Sequence, residues 1–183
     1  TEYHQRYLKF LKRAQINNLI VGAGMTDPKG DRSKRPSDQS DPDLFMHVTR
    51  RTDAGLYVTG AKAHMTGGLN SHWICVMPTM NMMEPDHDYA VIGMVPATAP
   101  GLTYVYGRQS CDTRALEPGD IDKGNATYGG QETLVVFDEV FIPWEHVLMD
   151  GEYEFAQELV TRFTAYHRAS YVCKTGLGDV MIG

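Results

Sequence analysis

A histidine and a cysteine lie six positions apart near the end of the chain, in the segment "FTAYHRASYVCKTG". Imidazole nitrogen and thiolate sulfur are ligands of zinc and of iron–sulfur clusters, so His167 and Cys173 are candidate ligands of one metal centre. The segment has helical character, and at ~100° per residue a separation of six places two side chains about 120° apart. On a regular helix they would face different directions, and an ordinary structural role for both stays open.

Three segments further upstream have the composition of a ligand-binding surface. In "MTDPKGD", residues 25–31, Thr and Asp before a proline predict a turn whose N–H groups and hydroxyl can face a ligand. In "GAKAHMTGG", residues 60–68, a strand ends in a threonine and two glycines, which let the backbone approach a flat molecule closely. In "FDEVFIPWEHVL", residues 137–148, we expect a strand to leave its sheet at the proline and enter a helix. Each segment alone is also explained by a plain turn or strand end.

Helices and strands must hold these segments in place. Residues 3–18 repeat apolar side chains at three- and four-residue intervals, which predicts an amphipathic helix. From position 44 to about 141, short β-branched and aromatic runs alternate with turns, and the connections are too short for helical crossovers. This predicts a mostly antiparallel β-domain. The helical period returns from about position 153, so the order is helix, β-domain, helix, an α+β fold.

The overall composition argues against several classes of function. The chain has 183 residues and a formal charge of −6 with scattered basic residues, so we expect no nucleic-acid partner. No apolar run approaches the ~20 residues of a membrane span, and we expect no membrane partner. Three widely spaced cysteines do not form a disulfide framework, which favours the cytoplasm. Because both ends fall inside predicted helices without capping signals, we expect an internal piece of a longer protein.

The order and spacing of the three segments resemble the acyl-CoA dehydrogenase superfamily, in which the middle β-domain holds the isoalloxazine ring of FAD. That superfamily carries a Thr-Glu-Pro turn, a Lys-x-Trp-Ile-Thr-Asn-Gly strand end and a Phe-Asp-x-Val-x-Val-Pro strand. Here Asp27 replaces the Glu, His64 the Trp and Gly67 the Asn. The resemblance implies that two threonines approach the flavin. The cofactor-binding set that it implies is Thr26, Asp27, Asp31, Lys62, His64 and Thr66.

The same resemblance implies how the chain is divided. Residues 1–20 would end an N-terminal helical domain, and residues 21–150 would form the flavin-binding β-domain, an antiparallel barrel-like unit. Residues 151–183 would be the first helix of a C-terminal helical bundle. The expected fold is therefore α+β and acyl-CoA dehydrogenase-like.

Longer segments narrow the resemblance to one branch of this fold. The segments "YGRQSCDTR", "YGGQETLVVFDEVFIP" and "YHRASYVCKTGLGDVMIG" look like the family of 4-hydroxybutyryl-CoA dehydratases, which are also vinylacetyl-CoA isomerases. This family shares its fold with flavin-dependent 4-hydroxyphenylacetate 3-monooxygenases. The resemblance implies an acyl-CoA substrate, a homotetramer, and FAD beside a [4Fe-4S] cluster held by three cysteines and one histidine. His167 and Cys173 stand where two of those cluster ligands should be.

The chemistry of this branch explains why it needs two cofactors. Dehydration of a 4-hydroxyacyl thioester breaks a C–H bond at the β carbon, which the thioester does not acidify, so a base alone is insufficient. By the resemblance, His167 takes the α proton and the flavin accepts an electron and the β hydrogen through radical steps. The cluster iron would act as a Lewis acid on the leaving hydroxyl. Glu132, Tyr171 and Lys174 match further polar residues of that active site.

One residue is missing relative to the family pattern, in which the histidine and the cysteine are seven positions apart. Seven positions return to within ~20° of the starting direction on a helix. Three explanations stay open: a local helix irregularity that restores the register, loss of the cluster with retention of the flavin, or damage to the sequence. Two other functions also stay open, a flavin-dependent aromatic hydroxylase and a non-catalytic scaffold.

Overall fold

The computed structural model describes residues 1–106 and 132–169, and at positions 164 and 166–169 it describes the backbone only. Helix α1 (Glu2–Ile16) begins after Thr1, whose hydroxyl accepts the N–H of His4 at 3.3 Å. It ends at Asn17, whose side-chain amide donates to the carbonyl oxygen of Arg13 at 2.8 Å. The helix predicted over residues 3–18 is therefore confirmed, with both ends capped by side chains.

Eight strands form two sheets within the described residues. Their bounds are β1 (Val21–Gly24), β2 (His47–Thr52), β3 (Gly55–Thr66), β4 (Trp73–Val76), β5 (Val91–Pro96), β6 (Leu102–Tyr106), β7 (Glu132–Pro143) and β8 (Val147–Asp150). One sheet has the order β1-β4-β5-β8 and the other the order β2-β3-β7-β6. Every pairing is antiparallel except that of β1 with β4.

The two sheets share one apolar core. Strands β3 and β7 contribute side chains such as Leu56 and Phe137, while β4 and β5 contribute Ile74 and Val95 from the other sheet. Each of these four side chains is at most 1% exposed. Alternation along the strands gives each sheet one buried face, so the sheets pack face to face as in a sandwich.

The prediction of a barrel-like domain is wrong for the described residues. The mostly antiparallel pairing is confirmed, but hydrogen bonding stops at β1 and β8 in one sheet and at β2 and β6 in the other. A barrel requires hydrogen bonds between edge strands. Here the sheets are joined through the side chains of the shared core instead.

The segment after Pro143 also differs from its prediction. In place of a helix, a single 3-10 turn (Trp144–His146) leads into strand β8, which pairs with β5. The indole N–H of Trp144 donates to the carbonyl oxygen of Thr52 at 3.0 Å and holds the turn against the β2–β3 hairpin. The alternating burial of residues 147–150 is a strand pattern too short to recognise without its partner.

Helix α2 (Ala156–Ala169) follows a 3-10 turn at Tyr153–Phe155. Ala156, at its first turn, is fully buried in a second apolar cluster that also contains Phe45, Tyr89 and Met149. The predicted return to helical structure from about position 153 is confirmed as far as position 169. This helix brings its first turns beside the strand ends that carry the candidate site.

Candidate functional site

A buried ion pair supports the turn at residues 25–31, which follows β1. Lys62 Nζ, on β3, donates to Asp27 Oδ1 at 2.6 Å and to the carbonyl oxygens of Met77 and Met25 at 2.9 and 3.2 Å. Burial lowers the pKa of the Lys62 ammonium, and the Asp27 carboxylate opposes that shift. All three ammonium hydrogens thus have protein acceptors. The structure places these two predicted cofactor residues as supports of the turn.

Thr26 projects from the same turn. Its carbonyl oxygen accepts the N–H of Ala63 on β3 at 2.7 Å, which fixes the backbone and leaves the side chain exposed. Thr79 donates to Asp27 Oδ2 at 3.2 Å, so the second oxygen of that carboxylate is also engaged. The turn is therefore held on both sides while the Thr26 hydroxyl stays accessible.

Strand β3 is irregular where it approaches this turn. Its register with β7 shifts between Lys62 and Met65, and His64, inside the shift, has φ +52°. A left-handed backbone costs a non-glycine residue about 1–3 kcal/mol and is concentrated at functional sites. The bulge exposes the His64 imidazole on the same side as Thr26. Gly67, with φ +71°, then ends the strand in a conformation that favours glycine.

Two residues predicted from different motifs meet at the end of this strand. Thr66 lies opposite Glu132, the first residue of β7, and its hydroxyl donates to Glu132 Oε1. Both residues are exposed. The structure therefore joins the threonine expected to face the flavin with the carboxylate expected to act in catalysis.

Four of these residues, Thr26, His64, Thr66 and Thr79, line one cavity of about 500 Å³. Its lining residues are Ala23, Met25, Thr26, His64, Thr66, Thr79, Val160 and Phe163. The volume falls in the ~300–1,000 Å³ range of small-molecule sites, and the lining combines apolar walls with a few polar groups. Val160 and Phe163 come from α2, so this helix closes one side of the cavity.

The lining of the first cavity has the chemical character that the isoalloxazine ring of FAD requires. A flat aromatic ring system with polar edges needs apolar faces and a few hydrogen-bonding groups at its rim. Met25 and Phe163 offer apolar surface, and the hydroxyls of Thr26 and Thr66 offer the rim groups. Next to Thr66, a Cβ at Gly67 would meet no atom of the described residues within 4 Å.

A second cavity of about 400 Å³ shares Thr26, His64 and Thr79 with the first. The loop after the turn forms its outer wall, with Lys29, Gly30, Asp31, Arg32 and Lys34. Cations are concentrated here, although the chain as a whole carries a charge of −6.

The predicted cofactor residue Asp31 shapes that loop. Its Oδ1 accepts the N–H and the hydroxyl of Ser33 at 3.0 and 2.6 Å, and these bonds lower the pKa of its carboxyl. Asp31 therefore lines the second cavity as an ionised group that also closes a local turn.

Four predicted site residues cannot be placed in the same detail. His167 lies in α2 one helical turn beyond Phe163, but its side chain is not described. Tyr171, Cys173 and Lys174 lie outside the described residues. Within the described part of the chain, no group of three or more His, Cys, Asp or Glu side chains is arranged to hold a metal ion. The role of His167 and Cys173 as cluster ligands stays a prediction.

Several cavity residues were missed by sequence reasoning. Thr79 lies in "MPTMNMMEP", which reads as core filling, and only its hydrogen bond to Asp27 shows its place at the site. Val160 and Phe163 belong to a helix that was predicted, but the face of that helix that meets the cavity depends on tertiary packing.

Among the described residues, no helix has the length and apolar character needed to cross a membrane.

Comparison with known proteins places these features in one family. A family model described as "4-hydroxyphenylacetate 3-hydroxylase N terminal" matches residues 1–149. The 4-hydroxybutyryl-CoA dehydratase/vinylacetyl-CoA-Delta-isomerase of Clostridium aminobutyricum is 55% identical over 185 aligned residues, which cover the whole chain and 38% of that protein. The chain therefore spans well under half the length of this relative.

Solved structures agree with the sequence comparison. An oxygen-tolerant archaeal 4-hydroxybutyryl-CoA dehydratase from N. maritimus superposes with a TM-score of 0.87 at 63% identity, over 98% of this chain and 36% of that one. A mutant of the hydroxylase HpaB complexed with FAD gives a TM-score of 0.70 at 26% identity, over 85% of this chain and 32% of that one.

A more distant structure shares the fold alone. The acyl-CoA dehydrogenase of Geobacillus kaustophilus gives a TM-score of 0.51 at 20% identity, over 84% of this chain and 34% of that one. The predicted acyl-CoA dehydrogenase-like fold is confirmed at this level, without the barrel. The match over residues 1–149 shows that this chain belongs to the 4-hydroxyphenylacetate 3-hydroxylase N-terminal family, in the branch that includes the 4-hydroxybutyryl-CoA dehydratases.

Proposed function

We propose that the intact protein containing this chain dehydrates 4-hydroxybutyryl-CoA to crotonyl-CoA and interconverts vinylacetyl-CoA and crotonyl-CoA. The observation that carries the proposal is the 55% identity over the whole chain with the C. aminobutyricum dehydratase, against 26% with the FAD-bound hydroxylase. The pairing of Thr66 with Glu132 beside the first cavity supports it, because both residues match active-site positions of that branch.

FAD is the proposed resident of the first cavity. Bound FAD would supply the electron and hydrogen transfer that the unactivated β carbon requires. Thr26 would donate a hydrogen bond to the ring edge, and Thr66, whose hydroxyl already donates to Glu132, would accept one there. Apolar contact from Phe163 on α2 would exclude water from the ring, since this helix closes the cavity.

We assign the acid–base steps to polar residues near the first cavity. Glu132 is exposed, and its Oε1 is already oriented by the Thr66 hydroxyl, so it can exchange a proton with a ligand without a change of backbone. His167 is proposed as the base that takes the α proton, because its place in α2 is one turn beyond Phe163. Tyr171 and Lys174 are proposed to stabilise developing charge, on the strength of the family resemblance.

The proposal extends to features that rest on the resemblance alone. A [4Fe-4S] cluster would be held by His167 and Cys173 together with cysteines outside this chain. The protein would be a cytoplasmic homotetramer. Residues 1–20, 21–150 and 151–183 would belong to the N-terminal helical, flavin-binding and C-terminal helical domains, respectively.

Cofactor content and dehydration of 4-hydroxybutyryl-CoA test the proposal together. The intact protein purified without oxygen is expected to contain FAD and about four irons per chain, and to form crotonyl-CoA from 4-hydroxybutyryl-CoA. A yellow, iron-free protein that hydroxylates a phenol with added reduced flavin would instead establish the hydroxylase alternative. A protein that retains no FAD would favour the scaffold alternative.

A further inference from the structure

Gln39 connects several points of the loop between β1 and β2. Its Nε2 donates to the carbonyl oxygens of Asp31, Lys34 and Arg35 at 2.9, 3.3 and 3.4 Å. Its Oε1 accepts the N–H of Asp31 at 3.0 Å. The two N–H groups of this amide are thus shared among three backbone carbonyls, and its oxygen accepts one backbone N–H.

The loop is closed tightly around this amide. Gly30 faces it, and a Cβ at that position would lie 2.4 Å from Leu44 Cδ2 and 2.5 Å from Gln39 Oε1, so a larger residue there would displace both side chains. Gln39 itself is half-buried. The backbone of residues 30–35 is therefore held by contacts with the Gln39 side chain.

A separate contact anchors the end of the loop to the rest of the fold. The N–H and the hydroxyl of Ser37 both donate to Asp86 Oδ1, at 3.0 and 2.6 Å. Asp86 is fully buried and also accepts the N–H of Met83 at 3.0 Å. With this end fixed, the Gln39 amide connects the Asp31 turn to residues 34 and 35 and adds to the local Asp31–Ser33 contacts within the loop.

We propose that Gln39 is a positioning residue of the cofactor site. The loop that it organises supplies Lys29, Asp31 and Arg32 to the wall of the second cavity, which is adjacent to the first and shares Thr26 and His64 with it. Loss of the amide would remove the Gln39 donor from the carbonyl oxygens of Asp31, Lys34 and Arg35 and the acceptor of the Asp31 N–H, and the wall would relax away from the ligand. The inference rests on the proposed function, because FAD is the ligand expected there.

Gln39→Met in the intact protein tests this inference. Methionine has a similar volume but makes no comparable hydrogen bonds, so the dissociation constant of FAD is expected to rise about tenfold, in line with the loss of more than one hydrogen bond. Turnover at saturating FAD is expected to stay within about twofold of wild type. Gln39→Glu, which keeps an acceptor but loses the donor, is expected to weaken FAD binding at least as much.

Asn17→Ala is the matched control. Asn17 also donates from a side-chain amide to a backbone carbonyl, at 2.8 Å, but lies at the end of α1 and lines neither cavity. Its FAD affinity is expected to match wild type. Should Gln39→Met fail to fold, Ser37→Ala, which removes one of the two anchor bonds, is expected to raise the dissociation constant by a smaller factor.

The outcomes separate this inference from the proposed function. A wild-type protein that binds no FAD would overturn both. A wild type that binds FAD, with an unchanged dissociation constant in Gln39→Met and Gln39→Glu, would overturn the positioning role alone. So would an equal loss of affinity in Asn17→Ala, because the effect would then follow general stability.

Discussion

Thr66 donates a hydrogen bond to the carboxylate of Glu132 across the paired strands β3 and β7. The two residues are 66 positions apart in the chain, and the antiparallel register places them opposite each other. Because Thr66 also lines the first cavity, the contact connects the expected cofactor surface to the expected catalytic carboxylate.

Glu132→Gln is expected to lower the dehydration rate by about a hundredfold or more, since an amide cannot exchange the proton and general acid–base catalysis contributes about 10²–10⁴. The amide oxygen can still accept the Thr66 hydrogen bond, so FAD binding should be preserved. Steady-state kinetics with 4-hydroxybutyryl-CoA measures the effect. Glu139→Gln is the control, because Glu139 is an exposed carboxylate on the same strand that accepts from Thr49 and lies outside both cavities.

Thr66→Val is expected to weaken FAD binding about three- to tenfold, which corresponds to the loss of one hydrogen bond. Thr66→Ser keeps the hydroxyl and should restore most of the affinity, as measured by flavin titration of the apoprotein. Thr49→Val removes a similar Thr–Glu contact elsewhere on the same sheet and should leave affinity unchanged. Equal affinities in the Val and Ser variants at position 66 would remove Thr66 from the flavin site.

Local patterns in the sequence identified the helices and the strands that carry the site. Helical periodicity located α1 and α2, and the threonine and glycines at the end of β3 marked a surface where the backbone can meet a ligand. The motif match also identified both Thr66 and Glu132 as functional residues. These features are local, so they are visible in a short window of sequence.

Long-range packing cannot be predicted from these local patterns. Strand patterns do not specify whether two sheets close into a barrel or pack face to face. The segment of strand β8 has no local pattern that separates it from a helix, because only its pairing with β5 identifies it as a strand. The roles of Thr79 and Gln39 likewise depend on partners brought close by the fold. Neither has a periodic or motif signal of its own.

Lys62→Met is expected to lower the free energy of unfolding by about 3–5 kcal/mol, because it leaves the buried Asp27 carboxylate without its cation. Urea denaturation measures this change. Lys9→Met, which breaks the exposed ion pair with Glu145, should give no measurable loss. If the two variants unfolded at the same urea concentration, the buried pair would have no special part in supporting the turn.

His146 predicts an acid-sensitive contribution to stability. Its ring packs edge-on against Phe10 and Trp73, and burial lowers its pKa below the ordinary 6.5, with Arg13 and Lys9 acting in the same direction and Glu145 opposing. The unfolded state then binds more protons just below pH 6.5, so stability falls as pH drops from 6.5 through the lowered folded pKa.

His146→Phe keeps the edge-on packing without a titrating ring. The free energy of unfolding of this variant is expected to depend less steeply on pH below 6.5 than that of wild type, as measured by urea titrations at several pH values. His87→Gln, at an exposed histidine, should retain the wild-type slope. Identical slopes in all three proteins would contradict the role of burial at position 146.

The most direct measurement is the conversion of vinylacetyl-CoA to crotonyl-CoA by the intact protein, purified without oxygen and with its FAD in place. We expect conversion in both directions to a common equilibrium mixture, with the rate greatly reduced in Glu132→Gln and unchanged in Glu139→Gln. An FAD-loaded protein that leaves vinylacetyl-CoA unchanged while it hydroxylates a phenol would contradict the proposed function.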